Sequence, residues 1–222
     1  MSAGAVKKSV FLVDDHPLVR EWLTNLINQQ PDLVVCGEAE SGPQAMQAIL
    51  ALNPDVAIVD ISLKDSSGIE LIKSLKQSRP NLRVLVLSMH EESHYAERAL
   101  RAGALGYIMK RDTTRKVINA IRQVMAGQLT VSDSIAASMA SQFVSGKTLG
   151  TRSPVEQLSD RELEVFELLG QGRGTRQIAE NLHVSVKTVQ AYCARIKEKL
   201  NLNNATELLR DAVRWHESQH KG

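Results

Sequence analysis

Five polar residues stand directly after short apolar runs: Asp14 and Asp15 after VFLV, Asp60 after VAIV, Ser88 after VLVL, and Lys110 after YIM. Carboxylates brought together repel one another unless a cation or proton intervenes, and a hard divalent ion with oxygen ligands relieves that repulsion. Magnesium suits such a set, because it keeps several waters and binds through one or two carboxylates together with phosphate oxygens. A carboxylate left free can then attack phosphorus. Asp60, alone at the end of its run, is the candidate nucleophile. Lys110 would offset charge developing on the phosphoryl oxygens, and the Ser88 hydroxyl would donate a hydrogen bond to one of them. Taken singly, an aspartate at a strand end is usually a helix cap or a solvated turn residue. Five matching residues on four runs favour a shared site.

Those residues meet only if the runs are strands of one parallel sheet, whose carboxyl ends all lie at the same edge. Strand and helix patterns alternate to about residue 126, which predicts an α/β doubly wound, flavodoxin-like domain with five parallel strands. Leu18, Val19, Trp22, Leu23, Leu26 and Ile27 recur at helical spacing in the first helix, and Val117, Ile118, Ile121, Val124 and Met125 in the last. Between them LVVCGEA reads as the second strand and PQAMQAILAL as a helix capped by Ser41. Gly68 to Ser78 and Ser93 to Ala102 read as two more helices.

Residues 127–157 form a linker with one short helix carrying Ile135, Met139 and Phe143, followed by SGKTLGTRSP. Residues 158–222 read as a small all-α domain of four helices. Ser159 and Glu162 make a capping box, Gly172 and Gly174 stop the first helix, Thr175 caps the second and Ser185 the third.

Net charge is only +2, yet residues 173–199 carry six Lys or Arg against two Glu, a local +4. Residues 1–130 hold 15 basic and 14 acidic groups, so the basic bias is C-terminal. Cys36 and Cys193 have no His or Cys neighbours at ligand spacing, which argues against a zinc site or disulfide framework and leaves packing thiols. The N-terminal residues lack an apolar signal core and no run of about 18 apolar residues occurs, so a cytoplasmic protein without a membrane partner is expected.

The first 126 residues resemble the receiver domain of bacterial two-component response regulators. The resemblance implies that Asp60 accepts a phosphoryl group from a cognate histidine kinase. It also implies that Asp14, Asp15, Asp60 and the Ser62 backbone carbonyl hold Mg2+, and that Ser88, Tyr107 and Lys110 couple phosphorylation to a change of shape. Gly68, eight residues after Asp60, fits the same pattern. Lys64 departs from it, since proline is common there. Ser62 and His90, each two residues beyond a site residue, would flank an attacking water. Chemistry is then limited to self-catalysed phosphotransfer and dephosphorylation at Asp60.

The segment LSDRELEVFELLGQGRGTRQIAENLHVSVKTVQAYCARIKEKLNLNNATELL resembles the LuxR-type helix-turn-helix domain, which with the receiver indicates the NarL/FixJ class. Thr175 to Leu182 would be the first helix of the motif, His183 to Ser185 the turn, and Val186 to Leu200 the helix laid in the major groove. Burial of Val189, Cys193, Ile196 and Leu200 leaves Lys187, Thr188, Gln190, Ala191, Ala194, Arg195 and Lys197 for double-stranded DNA. The resemblance further implies a homodimer on activation, paired through Leu208, Ala212 and Trp215 and bound to inverted half-sites, with RNA polymerase as a further partner, although core packing of one monomer would use the same three residues. Gln190, Tyr192 and Ala194 depart from common family choices. They motivate a second reading, a phospho-dependent protein-interaction regulator with little DNA binding.

Overall fold

A computed structural model describes residues 6–63, 66–90, 92–112, 114–144 and 154–219. The chain divides into two compact units, Met1–Gly146 and Lys147–Gly222.

In the first unit β1 (Lys8–Val13), β2 (Leu33–Ala39), β3 (Val56–Val59), β4 (Arg83–Ser88) and β5 (Gly106–Met109) form one sheet in the order β2-β1-β3-β4-β5. Every pairing is parallel. The expected doubly wound fold is thus observed. The helices are α1 (Pro17–Asn28), α2 (Gly42–Leu52), α3 (Gly68–Ser78), α4 (Glu92–Ala102) and α5 (Thr114–Met125). Two-sided burial explains the unbroken apolar runs. Val10, Leu12, Ile58, Leu85, Leu87 and Ile108 pack with Leu23, Ile27, Val117 and Ile121 in one cluster, and the alternate residues Phe11, Val13, Ala57, Val59, Val84 and Val86 are also buried. Leu18 departs from its helical stripe: in the first turn of α1 it is 80% exposed.

Register brings the strand ends level. Val59 pairs with Val13 on one side and Val86 on the other. The ladder runs one step further, with the Asp60 N–H donating to Val13 O (2.8 Å) and the Lys110 N–H to Ser88 O (2.8 Å). Helix α6 (Asp133–Val144) follows within the same unit and packs on α4.

The second unit contains a 3₁₀ turn (Pro154–Gln157) and helices α7 (Asp160–Gly170), α8 (Thr175–Asn181), α9 (Val186–Leu200) and α10 (Ala205–Gln219). The expected capping box is present: Ser159 Oγ accepts from the Glu162 N–H (3.4 Å), and Glu162 Oε2 accepts from the Ser159 N–H (2.8 Å). Lys199 Nζ reaches the same Glu162 oxygen at 2.6 Å and pins α9 to the start of α7. The cap of α8 differs from expectation. Gly174 is the cap, its N–H bound by Gln177 Oε1 at 2.9 Å, and Thr175 is the first helical residue. Ser185 caps α9 as expected, accepting from the Thr188 N–H at 3.0 Å.

Candidate functional site

Asp14 and Asp60 are 3% exposed, lying at the carboxyl ends of neighbouring strands in a crevice that β1, β3 and β5 together define. Lys110, just past β5, bridges them, its Nζ lying 2.7 Å from Asp14 Oδ2 and 2.7 Å from Asp60 Oδ2. The other Asp60 oxygen, Oδ1, is buried without a hydrogen-bond partner. Burial pushes the Asp60 carboxyl up to about 6; Lys110 opposes the rise and Asp14 adds to it. Burial also disfavours the Lys110 ammonium, but Asp60 and Asp14 outweigh it and raise its pKa.

Asp14, Asp15, His16 and Asp60 each offer a ligand atom within 4.8 Å of the others. Three of the four are carboxylates, and an unsatisfied buried oxygen points to a missing cation or acid group. The donors therefore fit a hard divalent ion. His16 was not anticipated from the sequence. It is the cap residue of α1, its N–H donates to Asp14 Oδ1 at 2.9 Å, and its Nδ1 lies 2.7 Å from Asp15 Oδ1. A histidine directly after the aspartate pair was the available signal.

Backbone contact ties the start of α3 to the residues just after β3. The Gly68 N–H donates to Ile61 O at 2.6 Å, and a Cβ on Gly68 would lie 1.9 Å from the Asp60 carbonyl oxygen. Only glycine lets α3 start this close to Asp60. Ser67 Oγ accepts from the Ile69 N–H at 3.2 Å and caps the helix.

Ser88 is fully buried, and its Oγ accepts from the His90 N–H at 3.3 Å. Tyr107 is 1% exposed, its hydroxyl donating to His90 O at 2.9 Å, so the ring lies inside the fold. His90 Nε2 sits 2.7 Å from Ser62 Oγ, and its ring packs on Tyr95 of α4 at 4.5 Å between centroids. Ser62 and His90 are thus joined to each other, a contact that spacing alone could not reveal. Lys64 lies outside the described residues.

On α9, Lys187, Gln190, Ala191, Ala194 and Arg195 are exposed, whereas Thr188 and Lys197 are half-buried. Val189 and Ile196 are fully buried, and Cys193 and Leu200 are half-buried on the same side. The Arg195 guanidinium lies 5.8 Å from the Tyr192 ring centroid. The Thr188 hydroxyl is 2.8 Å from Ser185 Oγ within the cap.

Residues 10–122 match the family model of the response regulator receiver domain, and residues 156–212 that of bacterial regulatory proteins, luxR family. The chain belongs to the bacterial response regulators. The oxygen regulatory protein NreC of Staphylococcus carnosus (strain TM300) is 35% identical to this regulator over 209 residues, which cover 92% of this chain and 96% of NreC. RcsB from Salmonella enterica serovar Typhimurium, solved bound to promoter rprA in the presence of the phosphomimetic BeF3-, is 25% identical. It superposes with a TM-score of 0.58 over 92% of this chain and 97% of RcsB. A LuxR-family two-component response regulator from Aurantimonas sp. SI85-9A1 is 33% identical with a TM-score of 0.58, over 62% of this chain and 99% of that one. This is a DNA-binding response regulator of a two-component system. Among the described residues no helix is long and apolar enough to cross a membrane.

Of the two uses open to the apolar stripe of the last helix, packing within one copy is the one observed in the regulator. Leu208 (3% exposed) and Ala212 (0%) are buried within a single copy, and the Trp215 ring packs 5.7 Å from Phe166 of α7. These residues hold α10 to α7, which comes so close that a Cβ on Gly170 would lie 2.5 Å from Ala212 O. Leu208 and Ala212 are core residues of the single copy, and Trp215 is half-buried beside them. Sequence periodicity finds an apolar stripe without telling which neighbour covers it.

Proposed function

We propose that a cognate histidine kinase phosphorylates Asp60 and that the phosphorylated regulator binds inverted operator half-sites as a homodimer to control transcription. The observation that carries this reading is the buried, unpartnered Asp60 Oδ1 beside an oxygen that Lys110 already holds. A carboxylate oxygen of Asp60 attacks the phosphorus of a phosphohistidine; the O–P bond forms as the P–N bond breaks, and the imidazole nitrogen leaves with the electron pair. Asp14, Asp15, Asp60 and the Ser62 carbonyl would hold Mg2+, which neutralises phosphoryl charge when bound. Lys110 stabilises the equatorial oxygens and Ser88 donates to one of them. Hydrolysis of the acyl phosphate by water returns the carboxylate and inorganic phosphate, so the chain turns over no separate substrate.

In the output domain (residues 158–222), joined to the receiver (1–126) by the linker, α9 lies in the major groove. Gln190 reads a base edge, Ala191 and Ala194 allow close approach, and Lys187, Thr188, Arg195 and Lys197 meet the backbone. With Leu208, Ala212 and Trp215 committed to the core, a second copy pairs through the opposite face of α10. There Leu209 is 47% exposed and Val213 lies one turn further on. RNA polymerase and a cytoplasmic setting complete the reading.

The test recovers genomic DNA fragments bound by purified protein with Mg2+, comparing BeF3-treated wild type with untreated protein and with Asp60→Asn. Enrichment of one inverted motif only in treated wild type supports the proposal. Equal enrichment in all three refutes phosphorylation control, and no enrichment refutes operator binding.

A further inference from the structure

The chain that leaves the receiver turns back onto it. After α5, Thr130 lies parallel to β5: its N–H donates to Leu105 O at 2.9 Å, and its own carbonyl accepts from the Tyr107 N–H at 2.8 Å. The sheet edge is thereby extended by a short piece of the linker. Gly106 makes the approach possible, since a Cβ there would lie 2.9 Å from Thr130 O. Two residues on, the Ser132 N–H donates to Glu92 Oε1 of α4 at 2.8 Å. Ser132 also begins α6: its carbonyl accepts from the Ala136 N–H at 3.0 Å, and its hydroxyl lies 2.9 Å from Ser134 Oγ.

Both anchors fall on residues tied to the switch. Tyr107 gives its backbone N–H to Thr130 and its hydroxyl to His90, the residue whose own N–H donates to Ser88 and whose imidazole reaches Ser62. Glu92 lies in the first turn of α4, the helix whose Tyr95 packs on the His90 ring. A movement of Ser88, His90 and Tyr107 therefore displaces the two points that hold the start of α6. A bridging residue carried on backbone bonds and a helix start held by one carboxylate can shift as a unit, while a loop tethered at neither point would absorb the movement.

We infer that residues 128–132 form a strap that couples the Asp60 switch to α6, the helix that precedes the output domain in the chain. The inference rests on Asp60 being the phosphoacceptor. Two anchors of different kinds carry it: the Tyr107–Thr130 backbone bond and the Glu92–Ser132 bond. A strap that merely covers the sheet edge would be indifferent to the state of Asp60.

Hydrogen exchange of the full-length protein with Mg2+, with and without BeF3, tests this directly, alongside DNA affinity and the rate of Asp60 labelling by a small phosphodonor. Wild type should show altered protection in both 85–110 and 128–144. Glu92→Ala should keep its labelling rate but lose about tenfold of the BeF3-dependent gain in DNA affinity. Glu92→Gln, which retains an acceptor oxygen, should keep most of it. Altered protection in 85–110 with none in 128–144, or a wild-type gain in Glu92→Ala, would overturn the strap while leaving Asp60 as the acceptor. No change in either segment while Asp60 still labels would overturn the strap alone, and failure of Asp60 to label would overturn the phosphoacceptor reading and the strap with it.

Discussion

Lys110 holds Asp60 by one oxygen only: its ammonium is 2.7 Å from Oδ2, while Oδ1 is buried without a partner. The same ammonium lies 2.7 Å from Asp14, so one cation serves two carboxylates. Lys110→Met would remove that cation and, on the proposed mechanism, the donor to the transferred phosphoryl group. Loss of one preorganised donor commonly costs about a hundredfold in rate. Labelling of Asp60 by acetyl phosphate with Mg2+ should slow by about that factor, while the circular dichroism spectrum stays unchanged. A labelling rate within twofold of wild type would remove Lys110 from the chemistry.

Stability should depend on the charge of Asp60 in an unusual direction. Burial raises its pKa from 3.8 in the unfolded chain to about 6 in the fold, so the folded state holds the proton more tightly. The stabilising contribution is complete below pH 4 and is lost as pH rises through 6. Above that, the ionised carboxylate destabilises the fold. Asp60→Asn, in the presence of a chelator, should therefore melt higher than wild type at pH 8, with the difference shrinking towards pH 4. Parallel melting curves across that range would contradict the assignment.

Gly68→Ala tests the other support of Asp60. Its new Cβ would sit 1.9 Å from the Asp60 carbonyl oxygen and 3.0 Å from Ile61 Cα, both backbone atoms that cannot step aside without moving the loop. Overpacking of this kind costs about 1–3 kcal/mol. Chemical denaturation should report that loss, and Asp60 labelling should slow with it, because the Asp60 carboxylate moves with its backbone.

Much of this was legible in the sequence, for a definite reason. A parallel sheet buried on both faces writes each strand as an apolar run, and the residue after the run lands at the site. Asp14, Asp60 and Lys110 were therefore placed by counting. LVVCGEA coincides with β2, and Gly68 to Ser78 with α3. The strap was not legible: Thr130 pairs through its backbone at a single bridge, and the apolar–polar alternation of Leu129 to Ser132 stops after four residues. Nor was the Ser62–His90 contact, which joins two loops 28 residues apart. Leu18 and α10 failed in opposite ways. One apolar residue at helical spacing stayed in solvent, and one stripe that could serve either a partner or the monomer core packs within the monomer.

DNA contact by α9 should separate into two effects. Lys187 is an exposed cation in the first turn of the helix, so Lys187→Ala should weaken binding to all sequences and reduce the salt slope by about one per protomer. Gln190→Ala should instead relax preference at one base position by about 1–3 kcal/mol with the slope unchanged. Anisotropy titrations at several salt concentrations, on operator and scrambled DNA, distinguish the two. Identical effects of both changes on both DNAs would argue against base reading by Gln190.

The two faces of α10 make opposite predictions. Leu208 is 3% exposed against α7, and truncation of a buried leucine costs about 2–5 kcal/mol. Leu208→Ala should therefore lower the unfolding midpoint of the output domain and weaken DNA binding only as a consequence. Leu209, 47% exposed on the other side, contributes little to the monomer. Leu209→Lys should leave unfolding within about 0.5 kcal/mol of wild type, since surface changes rarely exceed that. Two copies carrying the added lysines would nevertheless repel across a two-fold contact, so sedimentation of the protein–DNA complex should shift from dimer towards monomer. If Leu208→Ala unfolds like wild type yet loses the dimer, the burial of that face against α7 is wrong and the helix pairs through it after all.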